Sequence, residues 1–181
     1  RDLQIKSLQN GIETIDVRGN IDTRIKKLKD NNWDGLIIAE AAIKRLDLDL
    51  HYYKFSNDEM TPAAGQGAVA VQVHKSRNDL DQILSKINHN PSFLAVEIER
   101  SIIDALDGGC KTPVGCLALI QKDNLKIDAY LSNRTGTEVI RISDSGILTN
   151  KDELIEDIIS GFMDEGARHI IDSNRKALGN A

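Results

Sequence analysis

The chain has 181 residues, of which 40% are hydrophobic and 28% are charged, and its formal net charge is −5. This composition is typical of a globular chain of one or two domains, and the negative charge argues against a general nucleic-acid-binding protein. No apolar run approaches the ~18 residues of a membrane-spanning helix, and residues 1–10 lack the apolar core of a signal peptide. We therefore expect a cytoplasmic protein without membrane association. The four histidines and two cysteines show no metal-ligand spacing, so no metal site is predicted.

Charge is unevenly distributed along the chain. Residues 1–30 carry seven Lys or Arg against five Asp or Glu, whereas the remainder is acidic. A local basic patch in an acidic protein favours a small anionic ligand over a polyanion. A solvated helix face would explain some of these lysines equally well.

The first sixty residues follow a β–α–β pattern. Four elements are predicted in the order strand, helix, strand, helix: residues 12–17, 21–28, 35–39 and 41–46. The continuous apolar run in the second strand is typical of a buried parallel sheet. The turn Arg18-Gly19-Asn20 would place Arg18 at a strand end and Arg24 in the first turn of the helix, where anions bind and guanidinium groups grip carboxylates. Arg45, after the second strand, is consistent both with a ligand contact and with an exposed surface charge.

A glycine-rich turn and a further strand follow a connecting loop. Gly65-Gln66-Gly67 lacks the lysine of a phosphate-binding loop, so its glycines are expected to let the backbone approach a ligand or a crossing strand. Residues 69–73 alternate as a strand would. This long interruption before another central strand indicates two lobes joined by crossing segments.

The rest of the chain predicts a small α+β unit from about residue 78 to 181. The predicted elements are two helices, three antiparallel strands and a closing helix: residues 78–87, 92–106, 116–121, 126–132, 139–143 and 153–171. Ser92 is expected to cap or start the second helix, and the tail after Asp172 has the composition of a frayed end.

Between the second helix and the first of these strands lies the loop Gly108-Gly109-Cys110, followed by Pro113 and Gly115. Its glycines and proline are typical of a loop that presents a thiol. The residues alone leave a second interpretation open, because a glycine pair is also a common helix C-cap and a free cysteine is usually a small buried hydrophobe.

Several linked motifs resemble the porphobilinogen deaminase family in order and spacing, across essentially all 181 residues. The segments that carry the resemblance are 18–24, 37–39 with 44–46, 64–68, Glu99-Arg100, and 108–110 with 113–115. The resemblance implies an α/β fold: periplasmic-binding-protein-like lobes, partial here, followed by a small α+β domain with a three-stranded antiparallel sheet. Residues 1–61 would be the later part of the second lobe, 62–77 the strand returning to the first lobe, and 78–181 the cofactor-attachment domain.

The resemblance also implies a function and a set of site residues. Cys110 matches the cysteine that carries the family's dipyrromethane cofactor as a thioether. Four arginines match positions that bind carboxylates of cofactor or substrate: Arg1, Arg18, Arg24 and Arg45. Six residues match the lining of the cleft: Gly19, Asn20, Gly65, Gln66, Gly67 and Gly109. The implied enzyme is a monomeric transferase that converts porphobilinogen to hydroxymethylbilane.

No residue of this chain matches the family's acidic catalytic residue, so the chain alone is expected to be inactive. Cys110 follows a helix C-terminus, where the dipole disfavours a thiolate, which suits an anchor better than a turnover nucleophile. Cys116, near a strand start, is expected to pack in the core.

Two other classes of protein fit less of the pattern. A binding module without chemistry would share the lobes and the basic patch but has no use for a presented cysteine loop. A cysteine hydrolase would need a histidine partner for Cys110, and neither His89 nor His169 has a motif context.

Overall fold

The computed structural model describes residues 1–9, 11–106 and 112–179. The helices in this part of the chain are α1 (Asp2–Leu8), α2 (Ile21–Asp30), α3 (Glu40–Arg45), α4 (Asp81–Leu84), α5 (Asn90–Ala105), α6 (Lys151–Asp164) and α7 (Ala167–Gly179). The strands are β1 (Val114–Gln121), β2 (Asn124–Ser132) and β3 (Val139–Ile147). Short 3₁₀ turns at Asn78–Leu80 and Leu148–Asn150 precede α4 and α6.

The three strands form one antiparallel sheet in the order β1-β2-β3, which confirms the predicted three-stranded unit. Cys116 lies opposite Ala129, and Ala129 lies opposite Ile142. Helix α5 packs on β1 and α6 packs on β3. The sheet therefore has one face covered by helices, as the alternation of apolar residues along β2 requires.

The hydrophobic core lies between this sheet face and the helices. Residues of β2 at every second position point into it: Leu125, Ile127, Ala129 and Leu131. The two helices contribute core residues at intervals of four. Along α5 these are Ile98 and Ile102, followed by Leu106 just after the helix, and along α6 they are Leu154, Ile158 and Phe162. Spacings of two and of four are the strand and helix repeats that bring side chains to one face.

Three predicted strands are wrong: residues 12–17, 35–39 and 69–73 form no strand in the described structure. Ile15, Val69 and Val71 are 63%, 83% and 60% exposed. A strand exists only where a neighbour completes its hydrogen-bond ladder. Within the described ranges, no other segment pairs with these three, so their apolar pattern leads to no sheet.

The predicted helix at 78–87 is reduced to a 3₁₀ turn and the four-residue α4. Ile83 and Ile87 are 59% and 70% exposed, so the apolar face has no packing partner in the described part of the chain. Short helices depend on such packing. The next helix begins at Asn90, and the ring of His89, rather than Ser92, provides the cap by accepting a hydrogen bond from the Ser92 N–H.

The predicted closing helix is two helices, because Gly166 adopts φ +91° between α6 and α7. A glycine in the left-handed region is a common helix terminus. Residues 173–179 are helical rather than frayed, and residues 180–181 lie outside the described part of the chain. The amide of Asn174, which is 2% exposed, donates to the Ser132 carbonyl at 3.0 Å.

Helix α1 was not predicted, and its Gln4 is buried. None of the helices in the described ranges is both long and apolar enough to cross a bilayer.

Candidate functional site

The described flanks of the cysteine loop are both anchored. Cys110 and Gly109 lie outside the described residues, so the geometry does not test their predicted roles. Before the loop, Leu106 is fully buried at the end of α5. After it, the Pro113 carbonyl accepts a hydrogen bond from the Ser132 N–H at 2.9 Å, which joins the chain to the end of β2. These flanks fix where the segment bearing Cys110 leaves and rejoins the α+β unit.

The turn before α2 brings together four of the predicted site residues. Asn20 caps the helix, since its Oδ1 accepts a hydrogen bond from the Thr23 N–H at 2.9 Å. The Arg24 Nε donates to the Gly19 carbonyl at 2.8 Å. Gly19 has φ +126°, and a Cβ there would lie 2.8 Å from the Thr23 side chain. The turn therefore requires glycine at this position, next to the exposed Arg18.

The guanidinium groups at the predicted anion site remain available for a ligand. Among the residues that the structure describes, Arg1, Arg18 and Arg45 form no ion pair with a carboxylate. The Arg24 Nε bonds the backbone, which leaves the two Nη groups of its fork. A cation without a protein partner is free to bind a carboxylate bidentately.

Glu40 shows the contrasting, occupied arrangement on α3. Its carboxylate binds the Nζ of Lys44 at 2.8 Å and that of Lys54 at 3.0 Å. These hydrogen bonds lower the pKa of Glu40 to about 2. The acidic residue of α3 is thus already matched by lysines, and Arg45 at the end of the helix is left without a carboxylate partner among the described residues.

The Gly65-Gln66-Gly67 turn is tied to the α+β unit through Glu99. The Gly65 N–H donates to Glu99 Oε2 at 2.6 Å, and the Ala118 N–H donates to Glu99 Oε1 at 3.0 Å. Gly65 and Gly67 have φ values of +69° and +93°, which explains glycine at both positions. Gln66 is exposed between them. One buried carboxylate therefore links the turn to β1.

The start of α1 faces the chain just after the cysteine loop. A cavity of about 240 Å³ lies between them, lined by residues 1–4, Pro113, Val114 and Tyr130. Tyr130 is 2% exposed, and its hydroxyl has no hydrogen-bond partner among the described residues. Arg1 is therefore close to Pro113 and Val114, which directly follow the loop that bears Cys110 and lie more than a hundred residues away in sequence.

A second set of contacts joins α1 to segment 59–62 and to the sheet. The Gln4 side-chain amide bonds both backbone groups of Thr61: Nε2 donates to the carbonyl at 2.9 Å, and Oε1 accepts from the N–H at 2.8 Å. The Arg141 guanidinium lies 4.7 Å from the ring centroid of Tyr130 and contacts Thr61 Oγ1 at 3.3 Å. These contacts fix helix α1 against β2 and β3.

Cys116 packs in the core, as predicted. Its side chain is fully buried in β1, and it is a free cysteine. Burial, with smaller contributions from the carboxylates of Glu99 and Asp128, raises the pKa of this thiol to about 12. Cys116 is therefore a neutral, unreactive thiol near neutral pH.

The sequence interpretation missed Glu99 as a buried link and missed Gln4, Thr61 and Arg141 entirely. Glu99 has a readable signal, because a carboxylate beside Ile98 and three positions before Ile102 lies on the apolar face of α5. Gln4 has none, since its partner is 57 residues away and only the fold brings them together.

Comparisons with known proteins match this chain in two consecutive parts. Residues 1–82 match the family model described as porphobilinogen deaminase, dipyromethane cofactor binding domain, and residues 93–158 match that described as porphobilinogen deaminase, C-terminal domain. Similar proteins include the porphobilinogen deaminases of Helicobacter acinonychis, 35% identical over 95% of this chain, and Campylobacter concisus, 34% identical over 94%. That of Syntrophomonas wolfei is 33% identical over 96% of this chain. The chain spans 56% of the length of the first two relatives and 57% of the third.

Proposed function

We propose a function from the premise that this chain belongs to the porphobilinogen deaminase family: the intact protein is a transferase that condenses four porphobilinogen molecules into hydroxymethylbilane. Ammonia is released at each condensation, and the product is a precursor in tetrapyrrole biosynthesis. The observation that carries the proposal is the match of two successive domains of this family to residues 1–82 and 93–158.

The chemistry of the substrate accounts for the unpaired arginines. Each pyrrole ring carries an acetate and a propionate, so a cofactor of two rings extended by four more holds about a dozen carboxylates, and burying such charges without partners costs several kcal/mol each. We assign Arg1, Arg18, Arg24 and Arg45 to these carboxylates. The cleft lining would be Gly19, Asn20, Gly65, Gln66, Gly67 and Gly109.

The described residues fit a carboxylate-bearing cofactor. The Arg1 and Arg18 guanidinium groups lack carboxylate partners among the described residues, and Arg1 borders a cavity that is also lined by Tyr130, whose buried hydroxyl has no hydrogen-bond partner among them. When bound, dipyrromethane supplies the terminal pyrrole carbon to which the first porphobilinogen is joined. The cofactor would be attached to Cys110, within the part matched by the C-terminal domain, and held by residues of the part matched by the cofactor-binding domain.

We assign three regions to the chain: residues 1–61 to the later part of a second α/β lobe, 62–77 to the connection towards a first lobe, and 78–181 to the cofactor-attachment domain. The lobes would resemble those of periplasmic binding proteins, and the intact protein would be a cytoplasmic monomer. These assignments rest on the family resemblance. Sedimentation of the intact protein at micromolar concentration tests the oligomeric state, and a dimer would contradict it.

Mass spectrometry of the intact protein and its peptides tests the proposed function directly. We expect porphobilinogen to be converted to a linear tetrapyrrole, and the peptide containing Cys110 to carry the mass of a dipyrromethane. Cys110→Ala should lose both the added mass and the activity, whereas Cys116→Ala should keep the added mass. Residues 1–181 alone should form no product, because none of them matches the family's acidic catalytic residue. Attachment at Cys116, or an active Cys110→Ala variant, would overturn the assignment.

A further inference from the structure

The side-chain amide of Gln4 forms hydrogen bonds with the backbone of a distant segment at Thr61. Gln4 and Thr61 are 5% and 4% exposed. The amide Nε2 donates to the Thr61 carbonyl and Oε1 accepts from the Thr61 N–H. With one donor and one acceptor paired in opposite senses, the amide is held in a single orientation. Gln4 therefore holds Thr61 as a neighbouring strand would.

The segment that Gln4 holds is attached on its other side to the sheet. The Cys116 N–H donates to the Pro62 carbonyl at 2.9 Å. At Gly115, an added Cβ would lie 2.8 Å from the Pro62 carbonyl oxygen and 2.9 Å from that of Thr61, so the two backbones are in direct contact. Arg141 completes the attachment, since its Nη2 lies 3.4 Å from Gln4 Oε1. Helix α1, residues 59–62 and the sheet are thus joined through polar contacts, of which those between Gln4 and Thr61 are buried.

This connection sets the position of Arg1 relative to the cysteine loop. Arg1 and Gln4 are three residues apart on one helical turn, and the Ile5 N–H donates to the Arg1 carbonyl at 2.9 Å. The sheet end to which Gln4 is connected carries Pro113 and Val114, just after the loop that bears Cys110. A shift of α1 along or away from the sheet would therefore move the Arg1 guanidinium relative to Pro113 and Val114.

We propose that Gln4 is a positioning residue of the proposed reaction: by its contacts with Thr61, it holds Arg1 beside Pro113 and Val114, where Arg1 binds a carboxylate of the attached pyrrole chain. The inference rests on the proposed function. Gln4 acts through Arg1 and does not itself bind the ligand, because both atoms of its amide are occupied by Thr61. Arg141 supports the same arrangement from the exposed side.

A double-mutant cycle in the intact protein separates this role from a merely structural one. Gln4→Met keeps the side-chain volume and removes both hydrogen bonds to Thr61. We expect it to lower kcat/KM for porphobilinogen by about tenfold or more, because small misplacements of binding groups cost that much. In an Arg1→Ala background the same change should cost about twofold or less, since the residue it positions is gone. Gln9→Met, on an exposed glutamine that follows α1, is the matched control and should have no effect in either background.

Two further measurements keep the test independent of activity and of folding failure. Hydrogen exchange of the Thr61 amide should accelerate in Gln4→Met but not in Gln9→Met, and intact mass should show the cofactor attached in both. If Gln4→Met does not fold, Arg141→Met weakens the same attachment from the exposed side and should show the same dependence on Arg1, with the exposed Arg134→Met as its control.

Equal effects of Gln4→Met with and without Arg1, or no effect at all in an active protein, would overturn this inference and leave the proposed function in place. A wild-type protein that forms no tetrapyrrole would overturn the proposed function and this inference together. An unchanged exchange rate at Thr61 would also overturn it, because the contact would then not hold the segment.

Discussion

Single buried polar groups connect parts of this chain that are distant in sequence. Glu99 is only 5% exposed, and its carboxylate accepts hydrogen bonds from the N–H groups of Gly65 and Ala118. Hydrogen bonds to a charged acceptor contribute about 1.5–3 kcal/mol each, and a carboxylate buried without them would be strongly unfavourable. The glycine turn and β1 are therefore positioned by one side chain. By contrast, Arg1, Arg18 and Arg45 have no carboxylate partner among the described residues.

Arg18 should bind ligand carboxylates, whereas Lys29 on the same helix-turn unit should not. In the intact protein, Arg18→Ala is expected to lower kcat/KM for porphobilinogen by about 10- to 100-fold, the equivalent of one charge-assisted bidentate contact. Lys29→Ala removes the same charge from the exposed face of α2 and should change kcat/KM less than about twofold. Steady-state kinetics of both variants at one ionic strength is the measurement. Equal losses would mean that net charge, rather than a carboxylate site at Arg18, is responsible.

Cys116 should make stability fall at alkaline pH. Its folded pKa is about 12, above the ordinary 9.0, so the folded chain keeps a proton that the unfolded chain releases. Its contribution is fully present below pH 9 and is lost as the pH rises towards 12. Relative to Cys116→Val, which packs similarly but cannot ionise, the free energy of unfolding should fall by about 1 kcal/mol between pH 9 and 10. Urea unfolding at several pH values measures the difference, and a constant difference would contradict the burial of this thiol.

At the scale of elements, β1 has two neighbours of different kinds. It pairs with β2 along its length, and on its other side residues 61–62 lie against Gly115. Only a residue without a Cβ permits that approach. The contact between the two matched parts of the chain therefore depends on Gly115, the second residue of β1.

Gly115→Ala should separate segment 61–62 from β1. The new Cβ would lie 2.8 Å from a backbone carbonyl oxygen, which cannot rotate away as a side chain could. We expect a loss of about 1–3 kcal/mol in the free energy of unfolding, as for overpacked interiors. Gly35→Ala, which meets no atom within 4 Å, should change it by less than about 0.5 kcal/mol. Urea denaturation of the two variants compares them directly, and similar values would show that the contact is loose.

At the scale of the whole chain, the core is concentrated in its second half. Among the described residues, the buried hydrophobic side chains lie between Ile98 and Ile171, with the exception of Ile43. Helix α2 has ten residues and none of them is buried, whereas α6 buries Leu154, Ile158 and Phe162. Helices without packing are marginal in water. The first half of the chain is therefore held mainly by its contacts at α1 and residues 59–65.

Hydrogen exchange of the 181-residue chain should show two levels of protection. Amides of β2 and α6 are expected to exchange only through global unfolding, and those of α2 and α3 at least about 100-fold faster, through local opening. Exchange followed by mass spectrometry, with rates divided by those of the unfolded chain, is the measurement. Uniform protection across both halves would mean that α2 and α3 have stabilising contacts beyond those described.

Patterns of short range were predictable from the sequence. The strand alternation along β2 and the four-residue spacing of apolar residues along α5 and α6 determine their own geometry, because each depends only on the repeat of its element. The turn at Gly19 and Asn20 was also predictable, since the positive φ of Gly19 arises within the turn itself. The candidate arginines were assigned from similarly local family motifs, and their binding of carboxylates stays a prediction.

Contacts of long range were decided only by the tertiary structure. The amide of Gln4 meets Thr61, Gly115 meets the same segment, and Arg1 meets the chain beyond the cysteine loop, and no periodicity relates residues so far apart. The apolar runs at 35–39 and 69–73, which form no strand, show that a local pattern also cannot supply a pairing partner. An apolar pattern indicates that a segment is able to form a strand, but a strand forms only when the tertiary structure brings a second strand beside it.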